Sequence, residues 1–314
     1  MMRGLDPDSV KFLGRKTGNS AIFESKKRIY IYVEGIDDII FWESILLEHK
    51  EIKSKLRFLR PSQEGAVKKD GKQALKKVLK QATENYELGH SLCPVLGFAD
   101  RDLDPDDHQL ENLFFYDGWD REGMLVSLGL LNKVLCTYID INHFDSVEKL
   151  SRSIRRSAEE LGVLRKRLPT FHNWKHQPSL NSIIQRESFK CYQHLHLSWS
   201  YIKTIPLCRD ESEQNYWATL VQDVTKDLEE KMLTNEDERV WDCRGHDVCK
   251  VTALVLTHGD WTFDKKVYTQ KDIEQSLIQS TTLQHLKKTK FWHTVSEWSK
   301  RNGILWHQIF GAEI

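Results

Sequence analysis

Residues 28–34, RIYIYVE, carry a β-branched or aromatic residue at nearly every position. A strand apolar on both faces belongs in the middle of a covered sheet. The period then changes: Ile39, Ile40, Trp42, Ile45, Leu46 and Leu47 recur at helical spacing and predict a helix from Ile36 to near His49. LRFL at 56–59 reads as a second strand, closed by Pro61. Residues 71–88 read as an amphipathic helix with Leu75, Val78 and Leu79 turned inward. PVLGFA at 94–99 and NLFFY at 112–116 supply two further strands, and a helix begins near Asp120. This β-α-β-α-β alternation predicts an α/β fold, Rossmann-like, with a mainly parallel sheet flanked by helices.

Beyond about residue 143 the strand pattern lapses. Residues 145–168 form a charged helical stretch stopped by Pro169, and 210–233 and 271–301 also read as helical. Residues 170–200 are rich in His, Trp and Gln and fit no clear period, and RGHD at 244–247 reads as a strand-to-helix turn. The expected division is an α/β core over 1–142, a mostly helical insertion over 143–240, and the end of the α/β unit with C-terminal helices over 241–314.

Composition adds bounds. In 314 residues, 39% are apolar and ten are tryptophan, enough for a sizeable core and against disorder. The 46 Lys and Arg cancel the 46 Asp and Glu, so net charge names no partner. The lysine run at 67–80 is either a solvated helix face or a phosphate-attracting patch. Six scattered cysteines without a CxxC pair suit reduced thiols in a cytoplasmic protein. Cys243, His246 and Cys249 lack the second ligand pair that a structural zinc needs. No apolar run nears the ~18 residues of a membrane span, and residues 1–14 lack the apolar region of a signal peptide.

Two strands end in carboxylates. After the first come Glu34, Gly35, Asp37 and Asp38; after the third come Asp100, Asp102 and Asp104. Asp37 and Asp38 also fit the first turn of a helix, where the dipole favours negative charge. Glu34 fits that explanation less well, because a carboxylate at the end of a buried strand is costly unless a cation meets it. In an extended segment Asp100 and Asp102 point the same way. Hard oxygen donors so arranged suit Mg²⁺ or Mn²⁺. In a parallel sheet both clusters open onto the carboxyl edge, where such folds bind ligands.

The pair VEGIDD at 33–38 and FADRDLD at 98–104 resembles the Toprim domain of topoisomerases, DnaG-type primases and OLD-family nucleases. EGIDDIIFW at 34–42, DRD at 100–102, YDGWDRE at 116–122 and RGHDVCK at 244–250 are similar, in order and spacing, to the stand-alone OLD-like Toprim family of bacterial defence loci. Tyr116 and Trp119 stand where that family has Thr and Tyr. The architecture is similar to the Toprim effectors of PARIS anti-phage systems, whose companion is an ABC-type ATPase.

The resemblance implies a metal-dependent nuclease cutting DNA or a structured RNA such as tRNA. It implies metal ligands at Glu34, Asp38, Asp100, Asp102 and Glu122, with Glu34, Asp100, Asp102, Lys250 and His246 taking part in catalysis. Glu122 also suits a helix start, and His246 a turn held by hydrogen bonds. A homodimer is compatible with this reading, and a membrane is not a partner. Two other readings stay open: a catalytically weak sensor or adaptor subunit, and a metal-dependent phosphatase.

Overall fold

The computed structural model describes residues 29–64, 69–87, 95–102, 110–167, 243–259, 261–262, 266–302 and 310, with isolated positions at 215, 219, 222–223 and 226–227. In chain order the elements are β1 (Ile29–Val33), α1 (Ile36–Ile45), α2 (Lys50–Lys55), β2 (Leu56–Leu59), α3 (Lys72–Glu87), β3 (Val95–Ala99) and β4 (Leu113–Phe115). Then follow α4 (Arg121–Ser127), α5 (Leu130–Tyr138), α6 (Val147–Arg167), α7 (Gly245–His258), α8 (Gln270–Ser280), α9 (Leu283–Leu286) and α10 (Lys290–Arg301). The expectations for Asp104 and for residues 170–200, and most of the helix expected over 210–233, lie outside the described residues. Among the described residues, no helix is long and apolar enough to cross a membrane.

The chain divides into two compact units, Met1–Asp120 with Thr281–Ile314, and Arg121–Ser280. The first holds a four-stranded sheet in the order β2-β1-β3-β4, with every pairing parallel. Tyr30 stands opposite Val95 and Val33 opposite Phe98, so β1 and β3 are direct neighbours. All five residues of each are buried.

The strand parity sorts side chains onto two covered faces. On one, α3 sets Leu75, Val78, Leu79 and Ala82 against Tyr30, Tyr32, Val95 and Ala99. Gly97 permits that approach, since a Cβ there would stand 2.2 Å from Leu79 Cδ1. The other face is aromatic. Trp42 of α1 stacks on Phe58 at 5.5 Å and meets Phe98 and Phe291. Its indole Nε1–H donates to Tyr116 Oη over 3.1 Å, which satisfies a donor in a side chain with no solvent exposure. α1 therefore buries Phe41, Trp42 and Ile45 and leaves Ile36 and Ile40 exposed. It ends four residues before the expected His49, and α2 then leads into β2.

In the second unit, α7 is the central helix, with Val248, Cys249, Val251, Val255 and Leu256 buried. Its first residue must be small. A Cβ on Gly245 would fall 2.0 Å from the backbone nitrogen of Gly123 in α4. The glycine in RGHD is thus explained by close contact between two helix backbones.

Two stability outcomes follow, both read by chemical denaturation. Tyr116→Phe leaves the Trp42 indole without its acceptor and lowers stability by about 1–3 kcal/mol. Gly245→Ala costs about 1–3 kcal/mol or more, because the methyl meets rigid backbone. Wild-type stability in either variant contradicts the packing described.

Candidate functional site

β1 sends its connection to one side, toward β2, and β3 sends its connection to the other, toward β4. The carboxyl ends of β1 and β3 therefore flank the switch point of the sheet, where open α/β folds form a binding crevice. Glu34 follows β1 and Asp100 follows β3 directly. The Asp100 backbone N–H donates to Glu34 Oε1 over 2.9 Å. Residues 66 positions apart thus meet at one edge.

Local geometry positions the neighbours. Gly35 is extended and opens α1, and its N–H donates to Asp38 Oδ2 over 3.2 Å. Asp38 accordingly works as a helix-start acceptor while its charge acts on Glu34. Gly71, just before α3, donates its N–H to the Glu34 carbonyl over 2.9 Å. This brings Lys72 in, with Nζ 2.8 Å from the Arg101 carbonyl and 3.4 Å from Asp102 Oδ2.

Asp102 departs from the expected geometry. The spacing predicts an extended segment with Asp100 and Asp102 on one side, but the strand stops at Ala99 and Asp102 turns with φ 53°. Its N–H donates to the Trp119 carbonyl over 2.8 Å, which holds this left-handed conformation, one that aspartate tolerates better than most residues. The ligand oxygens of Glu34, Asp100 and Asp102 do not come within 4.8 Å of one another as a set of three. Lys72 and the Trp119 carbonyl draw Asp102 aside.

Burial, foremost, pushes the Glu34 carboxyl up to about 7 from its ordinary 4.5. The Asp100 N–H and Lys72 pull it down, while Asp38 and Asp102 raise it further. Glu34 and Asp100 offer the hard oxygen donors that Mg²⁺ or Mn²⁺ takes, while Lys72 occupies Asp102.

YDGWDRE has structural roles that sequence reading missed. Both carboxylate oxygens of Asp117 accept the first free N–H groups of α10, from Lys290 at 2.7 Å and Phe291 at 2.8 Å. The signal was an aspartate beside a glycine, but its partners lie 173 and 174 residues away. Tyr116 and Trp119, the departures from the family pattern, hold Trp42 and Asp102 respectively.

The other expected residues lie in the second unit. Glu122 is 1% exposed and pairs with the Arg121 guanidinium. His246, in the first turn of α7, has Nδ1 2.7 Å from Glu274 Oε1 and Nε2 3.6 Å from Glu122 Oε2. A carboxylate that fixes one ring nitrogen and leaves the other facing a second carboxylate is the arrangement by which proteins orient a histidine ligand. Burial alone would raise the Glu274 carboxyl, but hydrogen bonds from His246 and Gln270 carry it below its ordinary value. Lys250 sits one turn further along α7. Cys243 and Cys249 are buried and not joined in a disulfide.

Glu34 gives a pH test. An acid whose pKa is raised by folding favours the folded state fully below about 4.5, and that advantage is lost as pH rises to about 7. Glu34→Gln keeps the Asp100 acceptor without the charge. Above pH 7 this variant unfolds at higher temperature than the parent, by the equivalent of about 2–3 kcal/mol after solvent screening. Below pH 4.5 the advantage vanishes. Parallel melting curves across this range, without metal, overturn the assignment.

No family model, curated protein or solved structure matches this chain.

Proposed function

We propose that the chain is a Toprim-type, Mg²⁺- or Mn²⁺-dependent nuclease that hydrolyses phosphodiesters at the carboxyl edge of β1 and β3. The observation that supports this most is the meeting of Glu34 and Asp100 at the switch point, with the Glu34 carboxyl near neutrality. The order of the EG, DxD, YDGWDRE and RGHD segments supports the defence-nuclease reading. On it, the protein is a toxic effector in the cytoplasm, acting on DNA or a structured RNA under the control of an ABC-type ATPase partner.

Asp100 and Asp102 would hold the ion, with Glu34 and Asp38 beside it. When bound, the ion supplies Lewis-acid polarisation of the phosphoryl group and neutralises its charge. Glu34 orients the attacking water and takes its proton, a role suited to a carboxyl that titrates near the working pH. Lys72 balances the charge of Asp102 at 3.4 Å. Burial and the Arg121 pair keep Glu122 ordered, while Glu274 orients His246. The roles of Glu122, His246 and Lys250 at phosphate rest on the resemblance alone.

The test pairs binding with turnover. Mn²⁺ or Mg²⁺ at about 100 times its dissociation constant stabilises the protein by about 2.7 kcal/mol. The double variant Glu34→Ala/Asp100→Ala shows no such shift. Cleavage of plasmid DNA or tRNA falls about 10²–10⁴-fold in Glu34→Gln. Equal metal shifts in parent and double variant count against the site, and turnover of phosphomonoesters alone would favour a phosphatase.

A further inference from the structure

α3 breaks two rules of helix electrostatics. Its first turn holds no acidic residue and begins with Lys72, so positive charge sits at the positive end of the helix dipole. Lys72, Lys76 and Lys80 follow at intervals of four, and such like-charge pairs destabilise a helix. Lys77 adds a fourth charge, and no acid occurs between residues 71 and 83. A solvated helix face ordinarily mixes Glu with Lys at these spacings. The apolar side of α3 is occupied by the sheet through Leu75, Val78 and Leu79. Lys77 and Lys80 are exposed and Lys76 half-buried, so the basic side stands toward solvent.

The stripe also has a direction. Its first member is 3.4 Å from Asp102, and the residue before it binds the Glu34 carbonyl. From Lys72 to Lys80 is about 12 Å along the helix, the axial length of three to four nucleotides of one strand.

We propose that Lys76, Lys77 and Lys80 of α3 form a track for the phosphate backbone of a nucleic acid, leading the strand to Lys72 and the acidic edge. Phosphates along the stripe relieve the like-charge repulsion between lysines four apart. The inference rests on the nuclease reading for where the strand is delivered, but the track itself is tested by binding alone.

Binding is measured in a Glu34→Gln background, which keeps the probe intact, by fluorescence anisotropy. The probes are a labelled single-stranded RNA, a single-stranded DNA and a duplex DNA, each titrated at several salt concentrations. Lys76→Gln/Lys77→Gln/Lys80→Gln weakens binding to at least one probe about tenfold or more. It also reduces the slope of log affinity against log salt by about 2–3, the number of phosphate contacts removed. A control, Lys288→Gln/Lys300→Gln/Arg301→Gln, removes three exposed charges from elsewhere and leaves affinity unchanged. Thermal melting of each variant establishes that the fold is intact, and a single Lys80→Gln substitution serves should the triple variant melt early.

Unchanged affinity and slope in the α3 variant overturn the track, as does an equal loss in the control. Phosphatidylserine vesicles serve as a fourth probe: a lysine-dependent loss on the vesicles and on no nucleic acid overturns the track and makes the stripe a membrane contact. Failure here with a Glu34-dependent metal shift and cleavage leaves the proposed function standing. Lysine-dependent binding without any cleavage by the parent does the reverse.

Discussion

The parallel pairing of Ile29–Val33 with Val95–Ala99 is the constraint on which the candidate site depends. With Val33 opposite Phe98, the next residues of the two strands emerge together, and Glu34 receives the Asp100 N–H. A slip of one residue would turn every side chain of one strand to the opposite face. Here that would put Tyr30 and Tyr32 under the aromatic helices and Ile31 under α3. Each face of the sheet is packed for its own set of side chains, so burial of the core fixes the register of the acids.

The edge is held from above as well. Trp42, four to eight residues beyond the first acids, binds Tyr116, and Tyr116 in turn takes the Ala99 carbonyl through its backbone N–H. Trp119 holds Asp102, and Asp117 anchors α10, whose Phe291 closes the aromatic cluster against Phe98 at 4.9 Å. The short stretch 116–119 thereby links the first strand's helix, the DxD turn and the end of the chain. Such a frame lets the acids keep their mutual repulsion without unfolding the edge, since the cost at Glu34 is spread over a large buried core.

Much of the first unit was legible in the sequence. The strands Ile29–Val33, Leu56–Leu59 and Val95–Ala99 stand within a residue of their expected bounds, and Leu75, Val78 and Leu79 are buried as the spacing predicted. Strong apolar runs and clear amphipathic periods are local signals, and local signals survive folding. Three things were not legible. The left-handed turn at Asp102 depends on a carbonyl 17 residues away, so the alternation of Asp100 and Asp102 suggested an extended segment that the chain does not form. Asp117 resembled part of an acidic motif, yet its partners are the N–H groups of a helix near the other end of the chain. The glycine of RGHD looked like a turn residue, and only the closeness of Gly123 explains why it must lack a side chain.

Among the described residues two carboxylate sites emerge, Glu34 with Asp100 in the first unit and Glu122 with His246 in the second. Only the first lies at the switch point of a parallel sheet, which makes it the proposed metal centre. Anomalous diffraction from crystals soaked in Mn²⁺ tests this most directly. A peak is expected about 2.0–2.2 Å from carboxylate oxygens of Asp100 and either Glu34 or Asp102. A peak on Glu122 and His246 alone, or none at all at saturating Mn²⁺, contradicts it.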